Sequence, residues 1–245
     1  MNQQAQVGRT MTTLNLGYAL ALMNKKVTLI DMDPTAQLTQ DCDLGKVKLG
    51  INQVLQNEKT MEQVRHELAD GFDVIPVGSA LMDYEKATRN NNKLQQSYKL
   101  KQTIDSMTEQ QDFILIDCPS KPSLLTVNAL LAADEVIIPT NISYLSLQGL
   151  VRIVILFKRL KKLSGGAKLW LVLTQMNQAE KITLEVKNML MAYFPHRVLN
   201  TVIRQDESLS ESRVQRKAIF DYHQESHGAA DYFSMAQDII EGRVS

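Results

Sequence analysis

Two aspartates that follow an apolar run are the residues of this chain best placed to do chemistry. The segment VTLIDMDP (27–34) has the pattern of a buried strand that delivers Asp31 and Asp33 to its end and stops at a proline. A second apolar run, FILIDCP (113–119), ends in the same way at Asp117. Carboxylates at such strand ends can hold Mg²⁺ beside a phosphate. A helix-capping or turn role is the alternative for each of them.

Upstream of these runs, the segment QAQVGRT (4–10) has part of the chemistry of a phosphate-binding loop. Such a loop needs small residues whose N–H groups point at phosphate oxygens, a cation for the β- and γ-phosphates and a hydroxyl for Mg²⁺. Gly8, Arg9 and Thr10 supply one glycine, one cation and one hydroxyl, and a helical pattern follows from Thr12. A polar tail that leads into a helix is the alternative interpretation.

Short apolar runs alternate along the chain with segments of helical period. The order strand then helix, repeated, predicts an α/β fold: a doubly wound, mostly parallel sheet with helices on both faces. The predicted strands are Lys26–Ile30, Phe72–Val77, Phe113–Ile116, Glu135–Pro139, Leu169–Leu173 and Val198–Ile203. The predicted helices are Thr12–Met23, Thr60–Ala69, Leu94–Met107, Leu124–Ala132, Leu147–Leu163 and Ile182–Tyr193. No repeat or linker divides residues 1–245, so we expect a single domain.

A phosphate loop normally hangs between a strand and a helix, but here the loop begins close to Met1. The strand expected before it, usually a central one, is missing from the sequence. A start codon assigned too late, a shortened chain and true loss of the strand all explain this. The first two are favoured, because losing a central strand exposes backbone groups and apolar faces.

The composition excludes several classes of protein. Lys plus Arg equals Asp plus Glu at 27 each, so contact with nucleic acid requires a local basic patch. Cys42 and Cys118 lie far apart without metal-binding spacing, and the four histidines show none either. No apolar stretch approaches the roughly 20 residues of a membrane span, and the N-terminus is too polar for a signal peptide. We expect a soluble intracellular protein.

Together these motifs resemble the ParA/Soj/MinD family of deviant Walker-A ATPases, and more narrowly the ParA proteins of plasmid and chromosome partition. The resemblance lies in residues 2–40, in DFILIDCPSKPSLLTVNALLAADEVIIPT (112–140) and in TVIRQDESLSESRVQRKAIFDYHQESHGAADY (201–232). It covers almost the whole chain. It implies a P-loop NTPase-like fold, ATP and Mg²⁺ as cofactors, a nucleotide-dependent homodimer, non-specific DNA binding and a ParB-like centromere-binding partner that stimulates hydrolysis. The location it implies is the bacterial cytoplasm, in association with the nucleoid.

The resemblance also assigns roles to single residues. By it, Asp33 orients the attacking water and lies in the metal site, and Asp117 holds Mg²⁺ through water. Thr10 is the Mg²⁺-ligating hydroxyl, and Arg9 takes the place of the catalytic lysine on the β- and γ-phosphates. The residues that it places at the nucleotide are Gly8, Arg9, Thr10, Met11, Asn177 and Gln205, the last two near the base at the ends of later strands.

The phosphate loop departs from the family pattern KGGVGKTT. Gln4 stands where the family has the lysine that reaches the partner's nucleotide, and Ala5 and Gln6 replace two glycines. Arg9 keeps the charge of the second lysine, but its planar fork is not equivalent to a compact ammonium. These departures keep a second hypothesis open: a non-catalytic relative that acts as a DNA-associated or protein-interaction module. A third hypothesis, a MinD-like membrane cycle, lacks an evident basic amphipathic anchor in DIIEGRVS (238–245).

Two basic clusters are candidates for contact with DNA phosphates. One lies within the family's C-terminal signature and comprises Arg204, Arg213, Arg216 and Lys217. The other, FKRLKKL (157–163), is also explained as the wet face of an amphipathic helix. Because no motif for base readout is present, we expect binding that is salt dependent and insensitive to sequence. Lys121 could supply a further cation near the phosphates, or be a solvated loop residue.

Overall fold

The described strands form two parallel arrays with one antiparallel edge. The computed structural model describes residues 8–69, 71–78, 81, 84, 93–107, 110–119, 123–141, 155, 159, 162, 166–177 and 181–243. The strands are β1 (Val27–Asp31), β2 (His66–Ala69), β3 (Phe72–Ile75), β4 (Phe113–Asp117), β5 (Glu135–Thr140), β6 (Lys168–Met176) and β7 (Val198–Arg204). Their order is β2-β3-β1-β4 in one sheet and β5-β6-β7 in the other, and only the β2–β3 pair is antiparallel. The predicted α/β fold with a mostly parallel sheet is confirmed.

Helices separate most of these strands along the chain. They are α1 (Arg9–Leu22), α2 (Gln37–Asp41), α3 (Ile51–Leu55), α4 (Met61–Val64), α5 (Lys93–Ser97), α6 (Lys99–Asp105), α7 (Leu124–Ala132), α8 (Lys181–Tyr193), α9 (Glu207–Val214), α10 (Ile219–His223) and α11 (His227–Glu241). None of the helices in the described ranges is long and apolar enough to cross a membrane.

The prediction of one helix over Thr60–Ala69 is wrong. The helix α4 ends at Val64, and the chain then turns into the edge strand β2, which pairs with β3. Arg65, between them, has an extended backbone and forms an ion pair with Asp73 of β3 at 3.5 Å. The helical pattern reflects neighbouring residues only. Pairing with β3 is a tertiary contact, and it makes this segment a strand.

Two other predicted helices have different outcomes. The segment Leu94–Met107 is helical but divides into α5 and α6, with Tyr98 as the residue before the second helix. The helix predicted over Leu147–Leu163 lies almost entirely outside the described residues. The strand expected before the phosphate loop is not among the described elements, and residues 1–7 lie outside them.

The first helix, α1, packs tightly on the first sheet and on the C-terminal helices. A Cβ atom on Gly17 would lie 2.6 Å from Leu29 Cδ2 of β1, so only glycine allows this approach. On its other side, α1 hydrogen-bonds to α10 and α11: Asn15 Oδ1 accepts from the Ile219 N–H at 2.7 Å, and the hydroxyls of Thr12 and Tyr232 lie 3.4 Å apart. One buried core therefore joins the start of α1 to β1 and to the C-terminal helices.

Candidate functional site

The N-terminus of α1 is built to face an anion. Gly8 precedes the helix in the left-handed conformation at φ 79°, which glycine adopts without strain. The first N–H groups of a helix have no partner within the helix, and the helix dipole makes this end positive. The first turn of α1 contains no acidic residue. These features suit the phosphate groups that the sequence predicted here.

The acidic strand ends come together beside this helix end. The parallel register of β1 and β4 places Asp31 opposite Asp117. Thr10, in the first turn of α1, donates its hydroxyl hydrogen to Asp117 Oδ2 at 2.8 Å. The structure thus joins residues 107 positions apart. It brings together the hydroxyl and the carboxylate that the sequence assigned to one metal site.

Both strand-end carboxyl groups are held in an environment that disfavours their charge. Burial raises the pKa of Asp117 to about 7, the negative charge of Asp31 adds to this, and the Thr10 hydrogen bond and the Arg9 charge act in the opposite direction. Burial likewise raises the pKa of Asp31 to about 6. Crowded, buried carboxylates of this kind gain most when a cation neutralises them.

The capping role that the sequence left open is also realised, by Asp31 and Asp33. Asp31 accepts from the Asp33 N–H at 3.1 Å and from the Thr39 N–H and hydroxyl at 2.9 and 2.7 Å. Asp33 Oδ1 accepts from the Thr35 N–H at 2.9 Å. The Thr39 hydroxyl in turn accepts from the Val77 N–H at 2.9 Å. Asp31 is therefore the anchor that fixes α2 to the strand end, and it holds Asp33 in place.

The donor set fits Mg²⁺ of the kind that travels with a nucleotide. In the described ranges, no group of three or more His, Cys, Asp and Glu side chains is arranged to form a metal cage. Mg²⁺ with phosphates does not need one, because it keeps several waters and takes one or two protein oxygens. Thr10 and Asp117 would supply those oxygens, and Asp33 lies close enough for its charge to raise the pKa of Asp117.

Neither cysteine belongs to this chemistry. Cys118 follows Asp117 directly, and burial together with the Asp117 charge raises the pKa of its thiol to about 12. Burial also raises the pKa of Cys42 well above its ordinary value. Both thiols are free and protonated at neutral pH, so neither is a nucleophile.

The two residues assigned to the base lie at the carboxyl ends of the second sheet. The Gln205 N–H donates to Met176 O at 3.0 Å, which joins the ends of β6 and β7, and Asn177 O accepts from the Thr183 hydroxyl at 2.6 Å. Both side chains are exposed. Their contact with a base stays a prediction.

The four basic residues assigned to DNA differ in how they are engaged. Arg204 forms a bidentate pair with Asp231, with Nη2–Oδ1 2.7 Å and Nε–Oδ2 2.9 Å, and it ties β7 to α11. Arg213 and Arg216 lie beside Asp41 and Asp43 at 3.5 and 3.4 Å. Lys217 is exposed. The geometry gives Arg204 a structural role, and its contact with DNA stays a prediction like the other three.

Several residues that the sequence analysis singled out lie outside the described residues. They are Gln4, Ala5, Gln6, Lys121, Lys158 and Lys161. Arg159 and Lys162 of the second basic cluster are exposed.

Sequence reasoning missed the residues that brace the site. Thr39 and Asn15 were not singled out, yet Thr39 fixes Asp31, and Asn15, fully buried, joins α1 to α10. Asn15 carried a usable signal, because it is a polar residue between Leu14 and Leu16 on a helix that is apolar around it. Nothing in the sequence near Thr39 distinguishes it from the polar residues of the same segment.

The fold and this edge define a class of protein. A parallel sheet whose acidic strand ends meet a glycine-led helix N-terminus and a hydroxyl is the arrangement of a P-loop NTPase-like α/β protein. The family described as AAA domain matches residues 1–168.

Sequence comparison with individual proteins identifies the family within this class. The chain is 30% identical to the sporulation initiation inhibitor protein Soj of Bacillus subtilis, over 97% of this chain and 95% of that protein. It is 31% identical to the chromosome-partitioning ATPase Soj of Treponema pallidum, over 98% of this chain and 95% of that one. The chain belongs to the ParA/Soj family, as the sequence motifs indicated.

A solved structure agrees at the level of the fold. The structure of cobyrinic acid a,c-diamide synthase from Mycobacterium smegmatis, with a bound ATP analogue and magnesium, superposes with a TM-score of 0.81. The match covers 100% of this chain and 95% of that chain at 22% identity. At this identity the likeness concerns the fold alone.

Proposed function

We propose that this chain is a ParA-like partition protein, acting in plasmid or chromosome segregation, that binds Mg²⁺-ATP at the edge formed by α1, β1 and β4. The observation that carries the proposal is the hydrogen bond between Thr10 and Asp117, set between a helix N-terminus and the buried Asp31. Two buried carboxyl groups in register, with pKa values raised to about 6 and about 7, are typical of a functional site, because a bound cation would neutralise them. The similarity to the Soj ATPase of Treponema pallidum supports the same activity.

In this proposal, the residues of the site have separate roles. The N–H groups of α1 and the side chain of Arg9 bind the phosphates, and Thr10 and Asp117 hold the cation, which neutralises charge on the phosphates when bound. Asp33 orients the attacking water. Asp31 is a positioning residue, because its carboxylate is engaged by Thr39 and by the backbone of Asp33.

The rest of the cycle is proposed from the family. The protein forms a nucleotide-dependent homodimer in the bacterial cytoplasm, associates with the nucleoid through non-specific DNA contacts, and hydrolyses ATP faster when a ParB-like centromere-binding protein is present. Arg213, Arg216 and Lys217 are the basic residues proposed to contact DNA, since Arg204 is held by Asp231 in a bidentate pair, whereas Arg216 and Lys217 are exposed.

The test of nucleotide binding measures affinity for a fluorescent ATP analogue with and without Mg²⁺, and phosphate release with DNA present. We expect the unsubstituted chain to bind in a Mg²⁺-dependent manner. Asp117→Asn should weaken the Mg²⁺-dependent affinity for the ATP analogue by about 10–100-fold. Asp33→Ala should retain nucleotide binding but lose ATP turnover. Asp105→Asn, which removes the same charge from an exposed site on α6, is the matched control.

The altered loop provides the sharpest contrast. A chain with Gln4→Lys, Ala5→Gly, Gln6→Gly and Arg9→Lys restores the family motif. If only this chain binds and hydrolyses ATP, the natural chain is a non-catalytic relative whose function lies in its surfaces. Turnover by the unrepaired chain supports the partition ATPase, with Arg9 as a working substitute for lysine.

A further inference from the structure

The acidic end of α2 lies against the basic segment proposed to bind DNA. Asp41, the last residue of α2, pairs with Arg213 of α9 at 3.5 Å, and Asp43 pairs with Arg216 at 3.4 Å. The second pair joins residues 173 positions apart. We call these two ion pairs the α2 latch. They occupy two of the guanidinium groups that are proposed above to contact DNA phosphates.

The latch is attached to the phosphate site from both sides. On the acidic side, the Thr39 N–H and hydroxyl fix α2 to Asp31, whose neighbour in the strand register is Asp117. On the basic side, Ile219, at the start of α10, donates its N–H to Asn15 of α1. The segments that carry the two sides of the latch are therefore hydrogen-bonded to β1 and to α1, the elements that form the phosphate site.

Each of the two ion pairs has an energetically unfavourable feature. Asp43 and Arg216 both have left-handed backbones, at φ 51° and 53°, which side chains other than glycine adopt at a cost. Asp41 is only 3% exposed, and its Oδ2 atom has no hydrogen bond in the described chain beyond the ion pair with Arg213. Contacts with stored strain of this kind can exchange for another arrangement when a ligand favours it.

We propose that the α2 latch is an autoinhibitory contact: Asp41 and Asp43 compete with nucleic-acid phosphates for Arg213 and Arg216, and loading of the phosphate site releases the arginines. The proposal rests on the proposed nucleotide site. By linkage, DNA that captures the arginines must tighten nucleotide binding by the same factor. The latch thus supplies a physical route by which nucleotide controls DNA binding.

The first experiment measures binding of a fluorescent DNA duplex of arbitrary sequence at fixed salt, with and without Mg²⁺-ATP. Without nucleotide, we expect Asp43→Asn to bind at least about threefold more tightly than the unsubstituted chain, with a smaller response to Mg²⁺-ATP. Asp105→Asn is the matched control, because it makes the same charge change at an exposed residue paired with a single lysine. Where the protein binds DNA, equal affinities for Asp43→Asn and Asp105→Asn would overturn the latch.

A second substitution tests the basic partner. Arg216→Ala should weaken binding to DNA and lower the slope of log affinity against log salt by about one, because it removes one phosphate contact. Arg243→Ala is its control, since Arg243 is similarly exposed and pairs with Glu241. An unchanged salt slope in Arg216→Ala contradicts the assignment of Arg216 as the latched phosphate contact.

A measurement without DNA separates the latch from the proposed function. The reactivity of Arg216 toward phenylglyoxal, followed by peptide mass spectrometry with Arg243 as internal reference, should rise in Asp43→Asn. In the unsubstituted chain it should rise on addition of a Mg²⁺-bound non-hydrolysable ATP analogue. Reactivity that follows both changes in a protein that never binds DNA keeps the latch and removes DNA from the proposed function. Reactivity that ignores Asp43→Asn, or ignores the nucleotide when the nucleotide binds, overturns the latch.

Discussion

Two groups of buried aspartates in this protein have opposite surroundings. Asp231 and Asp238 of α11 face donors: Asp231 accepts from the Arg204 N–H and guanidinium, and Asp238 Oδ2 accepts from the Thr201 N–H and hydroxyl at 2.8 and 2.6 Å. Asp31 and Asp117, at the ends of β1 and β4, are register partners in neighbouring strands, and the negative charge of Asp31 acts to raise the pKa of Asp117. Burial alone therefore does not identify a functional carboxylate. The balance between donors and neighbouring negative charge separates structural aspartates from those that await a cation.

Asp206 shows the same contrast through its pKa. Burial acts to raise it, but hydrogen bonds from the Gly228 and Ser208 N–H groups, at 2.7 and 2.9 Å, outweigh burial. The pKa of Asp206 falls below its ordinary value, whereas the pKa values of Asp31 and Asp117 rise above theirs. The charged form of Asp206 therefore stabilises the fold, whereas the charged forms of Asp31 and Asp117 destabilise it.

The largest expected effect is the loss of the Arg204–Asp231 pair. Asp231→Asn should lower the free energy of unfolding by about 3 kcal/mol, because it leaves a partly buried guanidinium without its charge partner. Urea denaturation measures this. Glu241→Gln, which breaks the exposed Arg243–Glu241 pair, should change stability by less than about 1 kcal/mol. Equal losses in the two variants would show that burial of the pair contributes nothing.

A substitution at Asp117, at the end of β4, is expected to change the free energy of unfolding in the opposite direction. The pKa of Asp117 rises from 3.8 to about 7 on folding, so between these values the folded protein binds more protons than the unfolded one. The free energy of unfolding then falls as pH rises through this window. Asp117→Asn removes this penalty, and it should stabilise the protein by about 1–3 kcal/mol at pH 8 and by nothing near pH 4. Thermal unfolding across this pH range tests it, and destabilisation at pH 8 would contradict the comparison.

A smaller change in the free energy of unfolding is expected when Mg²⁺ is added without nucleotide. At pH 8, Mg²⁺ at ten times its dissociation constant should add about 1.4 kcal/mol to the free energy of unfolding of the unsubstituted chain. The gain should vanish in Asp117→Asn and persist in Asp231→Asn, because Asp117 is the carboxyl group proposed to hold the cation, whereas the carboxylate of Asp231 is paired with Arg204. A Mg²⁺ effect of equal size in both variants would place the cation elsewhere.

Much of the site could be predicted from the sequence. Asp31, Asp33 and Asp117 follow apolar runs that form β1 and β4, and parallel neighbours must end at the same edge. Thr10 came from the loop chemistry and from the family motif. The edge strand β2 could not be predicted, because pairing with β3 overrides the helical pattern of Thr60–Ala69. The buried roles of Thr39 and Asn15 depend on partners that local pattern does not reveal.

The sequence by itself determined the alternation of strands and helices, the acidic strand ends, the altered phosphate loop and the family. These features are encoded by neighbouring residues, whose hydrophobic period and turn chemistry act over short distances. The tertiary structure alone decided which charges meet. Asp231 lies 27 positions from Arg204, and Asp43 lies 173 positions from Arg216. Whether a basic residue joins two elements of the fold, as Arg204 does, or forms an exposed ion pair, as Arg216 does, depends on the carboxylate that folding places beside it. Electrostatic energy depends on distance in space rather than on distance along the chain.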